Sequence, residues 1–127
     1  MEKRFWFGLC LLAVLLAAGL LTAWSMERMH RPGEELLARA QSLALSGDME
    51  QAVSLARDAA GQWQKNRERT ACAADHAPMD DVDQLFAELE VYAKAEDAAH
   101  FAACCGGLSV LLRAMYDAHS LTFWNLL

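Results

Sequence analysis

The sequence predicts an all-α protein: an N-terminal transmembrane helix followed by a small antiparallel bundle of about four helices. Three observations predict it. The run from Phe5 to Trp24 carries no charge and, at about 1.5 Å per residue, is long enough to cross the roughly 30 Å of a hydrocarbon core. Alanine and leucine dominate a chain that is 55% hydrophobic with only two prolines, which favours helix over sheet. Beyond the run, apolar residues recur at helical spacing in stretches separated by short turn signals. In chain order, residues 1–4 form a basic flank, 5–24 the membrane helix, 25–33 a linker and 34–127 the bundle domain.

Lys3 and Arg4 precede the apolar run, and Trp6 and Trp24 stand near its two ends, where indole rings favour the headgroup interface. A cleaved signal peptide has an apolar region of about 7–15 residues ending in a small-x-small site. Here the nearest such tripeptide, Ala17-Ala18-Gly19, lies inside the run. The expectation is an uncleaved, single-pass anchor in the cell membrane that contacts lipid through residues 5–24. The alternative is a secreted soluble helical protein released by signal cleavage. The basic flank places the N-terminus in the cytoplasm and the domain outside, against the pull of Arg28, Arg31 and Arg39.

Pro32 and Gly33 mark the exit from the membrane helix, and Pro32 suits the first turn of a new one. Leu36, Leu37, Ala40, Leu43 and Ala44 then keep helical spacing until Ser46-Gly47-Asp48. Gly47 suits a C-terminal cap and Asp48 an N-cap for the next helix, Met49 to about Ala73. Ala52, Ala56, Ala59 and Trp63 form its inner face, and Gly61 predicts a bend or close packing. A third helix starts near Asp80 and buries Val82, Leu85, Phe86 and Leu89. A break at Glu96–Asp97 opens the fourth, with Phe101, Cys105, Leu108, Leu112, Met115 and His119 spaced 4-3-4-3-4. Gly106 and Gly107 predict close helix contact. The apolar end containing Trp124 and Asn125 is expected to dock back on the bundle or to meet a partner. The turn around Ser46–Asp48 is of the helix-hairpin repeat kind, but no second copy at a fixed period is evident.

Net charge is −6. Beyond Trp24, nine basic residues face sixteen acidic ones without forming a basic stripe, which excludes nucleic acid as a partner and argues against adhesion to anionic headgroups. Four cysteines show no CxxC pair. Cys10 lies in the apolar run, and Cys72, Cys104 and Cys105 are expected as buried thiols, a Cys72 bridge to either neighbour being open in an oxidising compartment.

One stretch resembles chemistry: Asp75 to Asp81, "DHAPMDD", with Asp83 just beyond. His76 and Asp80 are weak metal candidates, since calcium takes six to eight oxygens and zinc needs further histidine or cysteine. The structural reading explains more residues. Pro78 ends the preceding helix, Asp80 caps the next, and Asp81 and Asp83 sit in its first turn where negative charge is favoured. Antiparallel neighbours then bring Lys65–Arg69 beside Asp80–Asp83, with His76 and Asp80 locking the corner. Trp63, Leu85, Phe86, Leu89, Phe101, Leu108, Leu112 and Met115 are the expected core anchors.

Taken in order, the apolar span, "WQKNRER" (Trp63–Arg69), "HAPMDDV" (His76–Val82), the tyrosine stretch "VYAKAED" (Val91–Asp97) and the terminal "NLL" (Asn125–Leu127) resemble an uncharacterised family of small single-span helical membrane proteins of clostridial-type bacteria. That family follows W-x-K, then H-x-x-x-D-x-[IV], a tyrosine stretch and N-[IL]-[LF]; the matching positions here are Trp63, Lys65, His76, Asp80, Val82, Tyr92 and Asn125. The resemblance implies fold and location and brings no activity. The expected function is therefore a membrane-anchored, non-enzymatic helical domain without cofactor, acting through an unknown protein partner or self-association, with a metal-binding or thiol-active protein as the lesser alternative.

Overall fold

A computed structural model describes residues 2–71 and 76–125, with the side chains of Met26, His76, Ala77, Tyr116 and 118–125 outside that description. The described residues form four helices: α1 (Glu2–Leu45), α2 (Met49–Ala71), α3 (His76–Lys94) and α4 (Ala98–Asn125). Each packs against its neighbours in sequence and α1 closes on α4, giving an up-down-up-down bundle whose widest contact is α1–α4, with α2–α3 the narrowest between sequence neighbours.

α1 is a single helix through Pro32, which corrects the expected linker at 25–33. Proline removes the N–H that would bond the Arg28 carbonyl and normally kinks or ends a helix. Here packing on both sides of the proline outweighs that local cost. His30, Gly33, Leu37, Ala40 and Ala44 are buried at alternating spacings of three and four, and Asn66 Nδ2 of α2 donates to the Met29 carbonyl at 3.3 Å. The apolar first half therefore runs without a joint into the bundle core. A stretch of α1 and the stretch Ala98–Met115 are each long and apolar enough to cross a membrane. They differ in burial: none of the α1 window is buried inside the molecule, whereas 39% of the α4 window is.

The two hairpin turns share one geometry. Asp48 N–H bonds the Leu43 carbonyl at 2.9 Å and Gly47 N–H the Ala44 carbonyl at 3.3 Å; Asp97 and Glu96 repeat this on Tyr92 and Ala93 at 3.1 and 3.2 Å. Both are Schellman closures with a left-handed residue at the cap, Gly47 at φ 93° and Glu96 at φ 54°. Asp48 and Asp97 then cap the following helices, accepting from Gln51 and His100 N–H at 3.2 Å each. Only glycine adopts this conformation without steric cost. Glu96→Gly is accordingly expected to raise stability by about 0.5–1 kcal/mol in chemical denaturation.

These caps stand at a constant offset of 49 residues (97 − 48), and the core follows it. Leu37, Ala40 and Ala44 correspond to Phe86, Leu89 and Ala93, and Ala52, Ala56, Ala59 and Trp63 to Phe101, Cys105, Leu108 and Leu112; all are buried except the partly buried Ala93. The chain is a doubled helical hairpin, a correction to the expectation of no second copy. Substitution of small for large residues at matching positions, such as Ala52 against Phe101, hides the repeat from letter-by-letter comparison.

Glycines divide by surroundings. A Cβ at Gly106 would lie 2.7 Å from Gln41 Nε2, so α1 and α4 meet closely there, while Gly61 and Gly107 face open space. The expectation of close contact therefore holds at Gly106 and is corrected at Gly107, and at Gly61 the close-packing alternative is corrected. Gly33 against Leu112 and Gly106 against Gln41 set the antiparallel α1–α4 register. Carried on, that register puts the backbone of Trp124 and Asn125 level with roughly residue 21 of α1. The last turns of α4 thus run beyond the bundle along the apolar half of α1, rather than folding back over the core.

Candidate functional site

Polar side chains gather at the end of the bundle nearest the apolar half of α1. Trp63 is buried, and its Nε1–H donates to Asp83 Oδ1 at 2.7 Å across the α2–α3 contact. Arg67, one turn further along α2, donates Nε–H to Asp83 Oδ2 at 2.9 Å and pairs through Nη2 at 2.8 Å. Burial pushes the Asp83 carboxyl up, but the Arg67 and Trp63 hydrogen bonds outweigh it and hold the group below the usual carboxylate range. Behind Trp63 lies His30, also buried, with ring centroids 5.9 Å apart. Its Nε2 is 3.3 Å from the Thr70 hydroxyl, which in turn donates to the Asn66 carbonyl at 2.9 Å. One network therefore ties α1, α2 and α3 together.

The structure redistributes the residues of the "DHAPMDD" stretch. α3 begins at His76, so Asp80 lies inside the helix and is not its N-cap, a correction whose physical basis is Pro78. In the first turn a proline lacks only an N–H that the helix does not use. Asp80 is exposed and reaches Arg67 only at 3.9 Å; Asp81 is exposed on the α4 side. Asp83, not Asp80, makes the antiparallel lock. The His76 side chain, Asp75 and Cys72 lie outside the described residues, as do the side chains of His119, Trp124 and Asn125.

Of the expected core anchors, Trp63, Phe86, Leu89, Phe101, Leu108, Leu112 and Met115 are buried, and Leu85 is half-buried, packed against the core. His30, Thr70 and Asn66 were not foreseen from the sequence. The missed signal is the spacing His30, Gly33, Leu37, Ala40, Ala44, an unbroken helical stripe once Pro32 is allowed inside the helix.

Among the described residues of the bundle, the reactive groups are quiet. Burial pushes the Cys104 thiol up to about 11 and the Cys105 thiol up to about 12, and Cys104 Sγ donates to the Leu85 carbonyl at 3.2 Å, so neither is a thiolate nucleophile at neutral pH. His100 pairs with Asp97 at 2.7 Å and stacks on Tyr92 at 5.3 Å, reinforcing the α4 cap on an exposed surface. Among the described residues, no three His, Cys, Asp or Glu side chains converge on a point.

Among the described residues, two grooves flank this end. The first, about 520 Å³ between α1 and α2, is lined by Trp24, Arg28, Gln62, Lys65, Asn66 and Arg69 among others. The second, about 430 Å³ between α3 and α4, is largely apolar and is formed by Leu85, Val110, Leu111 and Ala114, with Asp81 and Gln84 at its rim. Val110 is 70% exposed in it.

A family model described as Domain of unknown function (DUF4363) matches residues 24–126, which takes in the whole bundle and begins at the end of the apolar run. No curated protein and no solved structure matches the chain.

Proposed function

The chain belongs to the DUF4363 family, a domain of unknown function, and from that premise we propose that it is a membrane-anchored, non-enzymatic helical module that works through protein contact. The observation that carries this reading is the continuity of α1. An exposed apolar half and a buried bundle half share one helix of 44 residues, about 66 Å long at 1.5 Å per residue. A helix without a joint transmits the anchor's orientation directly to the bundle, which suits a scaffold holding a partner at fixed height and angle. The α3–α4 groove is the contact surface, since Val110 and Leu111 give it an apolar floor and Asp81 a charged rim. The N-terminus is on the cytoplasmic side and the bundle outside, on the strength of Lys3 and Arg4.

The test is crosslinking and affinity capture of the full chain from native membranes, with Val110→Glu as comparison. The expected result is a partner, or a second copy of the chain, captured by the wild type and lost in the variant. If nothing associates, itself included, the contact reading fails. Alkaline extraction tests the anchor separately: a chain released into the soluble fraction overturns it, and sequencing of the mature N-terminus identifies a cleaved, secreted form.

A further inference from the structure

We propose that the α1–α2 groove binds the phosphate of an anionic lipid headgroup, so that the bundle is pinned to the membrane surface at a second point. The proposal rests on the reading of residues 5–24 as a membrane anchor. Net charge argues the other way, because the chain is acidic overall at −6. The structure separates that charge locally. The groove lining contains Arg28, Lys65 and Arg69 and no carboxylate, and none of these three cations is within ion-pair distance of a described acidic side chain. Of the nearby acids, Glu27 and Glu35 pair with Arg31 and Asp80 and Asp83 with Arg67, while Glu34 and Glu68 are not part of the groove lining.

Compensation of the α2 dipole accounts for Lys65 and Arg69 in its last turns, but not for Arg28. Arg28 sits on the facing helix, mid-way along α1, and has no terminus to neutralise. Its guanidinium instead lies over the Trp24 ring, 4.5 Å from the centroid, which holds the cation at the groove mouth. Trp24 closes the apolar run, so the groove lies at the depth where an anchored helix leaves the hydrocarbon and meets headgroups. Three cations, with the Ser25 hydroxyl and the Gln62 amide in the same lining, supply charge-assisted donors for phosphate oxygens, and a groove of about 520 Å³ is roomy enough for a glycerophosphate group.

The experiment follows the thermal unfolding of the purified full chain in neutral detergent micelles, titrated with phosphatidylglycerol, phosphatidylcholine or inorganic phosphate. Phosphatidylglycerol is expected to raise the midpoint by about 5 °C and phosphatidylcholine to leave it unchanged. Arg28→Gln/Lys65→Gln/Arg69→Gln should abolish the shift, while Arg39→Gln/Arg113→Gln, which removes charge elsewhere on the bundle, should retain it. Should the triple variant not fold, Arg28→Gln alone is expected to reduce the shift by half or more. No shift in the wild type, or an equal shift in the groove variants, overturns the proposal. An equal shift from inorganic phosphate overturns the lipid headgroup as its source. Flotation with phosphatidylcholine vesicles separates the two readings: a chain that floats but shows no phosphatidylglycerol shift loses only the headgroup site, and one that fails to float loses the anchor on which it rests.

Discussion

Trp63→Ala is expected to cost about 3–5 kcal/mol of stability, the range for deleting a buried aromatic side chain. Trp63 is 3% exposed and is the one residue of its helix stripe with real bulk, the other buried apolar positions of α2 being Ala52, Ala56 and Ala59. Truncation therefore opens a cavity that small neighbours do not refill. It also removes the indole donor from Asp83 and one wall of the His30 site. Against a total stability of roughly 5–15 kcal/mol for a small domain, such a loss lowers the thermal midpoint by about 15 °C or more. Urea denaturation followed by far-ultraviolet circular dichroism provides the check. Trp63→Phe should fall between the two, keeping most of the bulk and losing the hydrogen bond. A Trp63→Ala midpoint near that of the wild type would mean that Trp63 is not the wedge of this core.

Asp83→Asn is expected to lower stability at pH 7 by about 1–2 kcal/mol, the net worth of hydrogen bonds to a charged group at a partly exposed site. The substitution keeps the shape and removes the charge that Arg67 and Trp63 donate to. Its pH dependence is the sharper readout. Because the folded protein holds the Asp83 carboxyl below its ordinary value of 3.8, its contribution is fully present above that value. The contribution is lost as pH falls through the lower folded-state value. The wild type should therefore exceed the variant at pH 7 and approach it on acidification below about pH 4. Denaturant midpoints measured for both proteins between neutral and acid pH decide the matter. A difference that persists unchanged into acid would point to packing, and the charge would not be the cause.

Much of the local architecture was legible in the residues. The helix breaks at Ser46–Asp48 and Glu96–Asp97 follow from cap chemistry, and the stripe from Phe101 to Met115 follows from its 4-3-4-3 spacing. Even so, the same rules misplaced two boundaries, and each time at a proline. Pro32 reads as a start although it lies inside α1, and Pro78 as a stop although it lies in the first turn of α3. A proline is compatible with both places, and the choice depends on which flanking residues are buried. At the polar corner, the sequence offered Asp80, Asp81 and Asp83 as near equivalents. The packing of α3 on α2 selects Asp83: Asp81 turns to the α4 side, and Asp80, one turn earlier on nearly the same face, reaches Arg67 only at 3.9 Å.

The sequence by itself determined the all-helical class, the two hairpin turns with their Asp48 and Asp97 caps, and the apolar run, since these depend on neighbours within a turn or two. Tertiary structure alone decided that α1 continues through Pro32, that His30 joins the core and that the hairpin is doubled at 49 residues. It also decided that three cations of an acidic chain face one groove. The physical reason is one of scale. Local preferences are worth about 1 kcal/mol each, whereas burial across several helices sums to far more. Where the two disagree, partners distant in the sequence prevail.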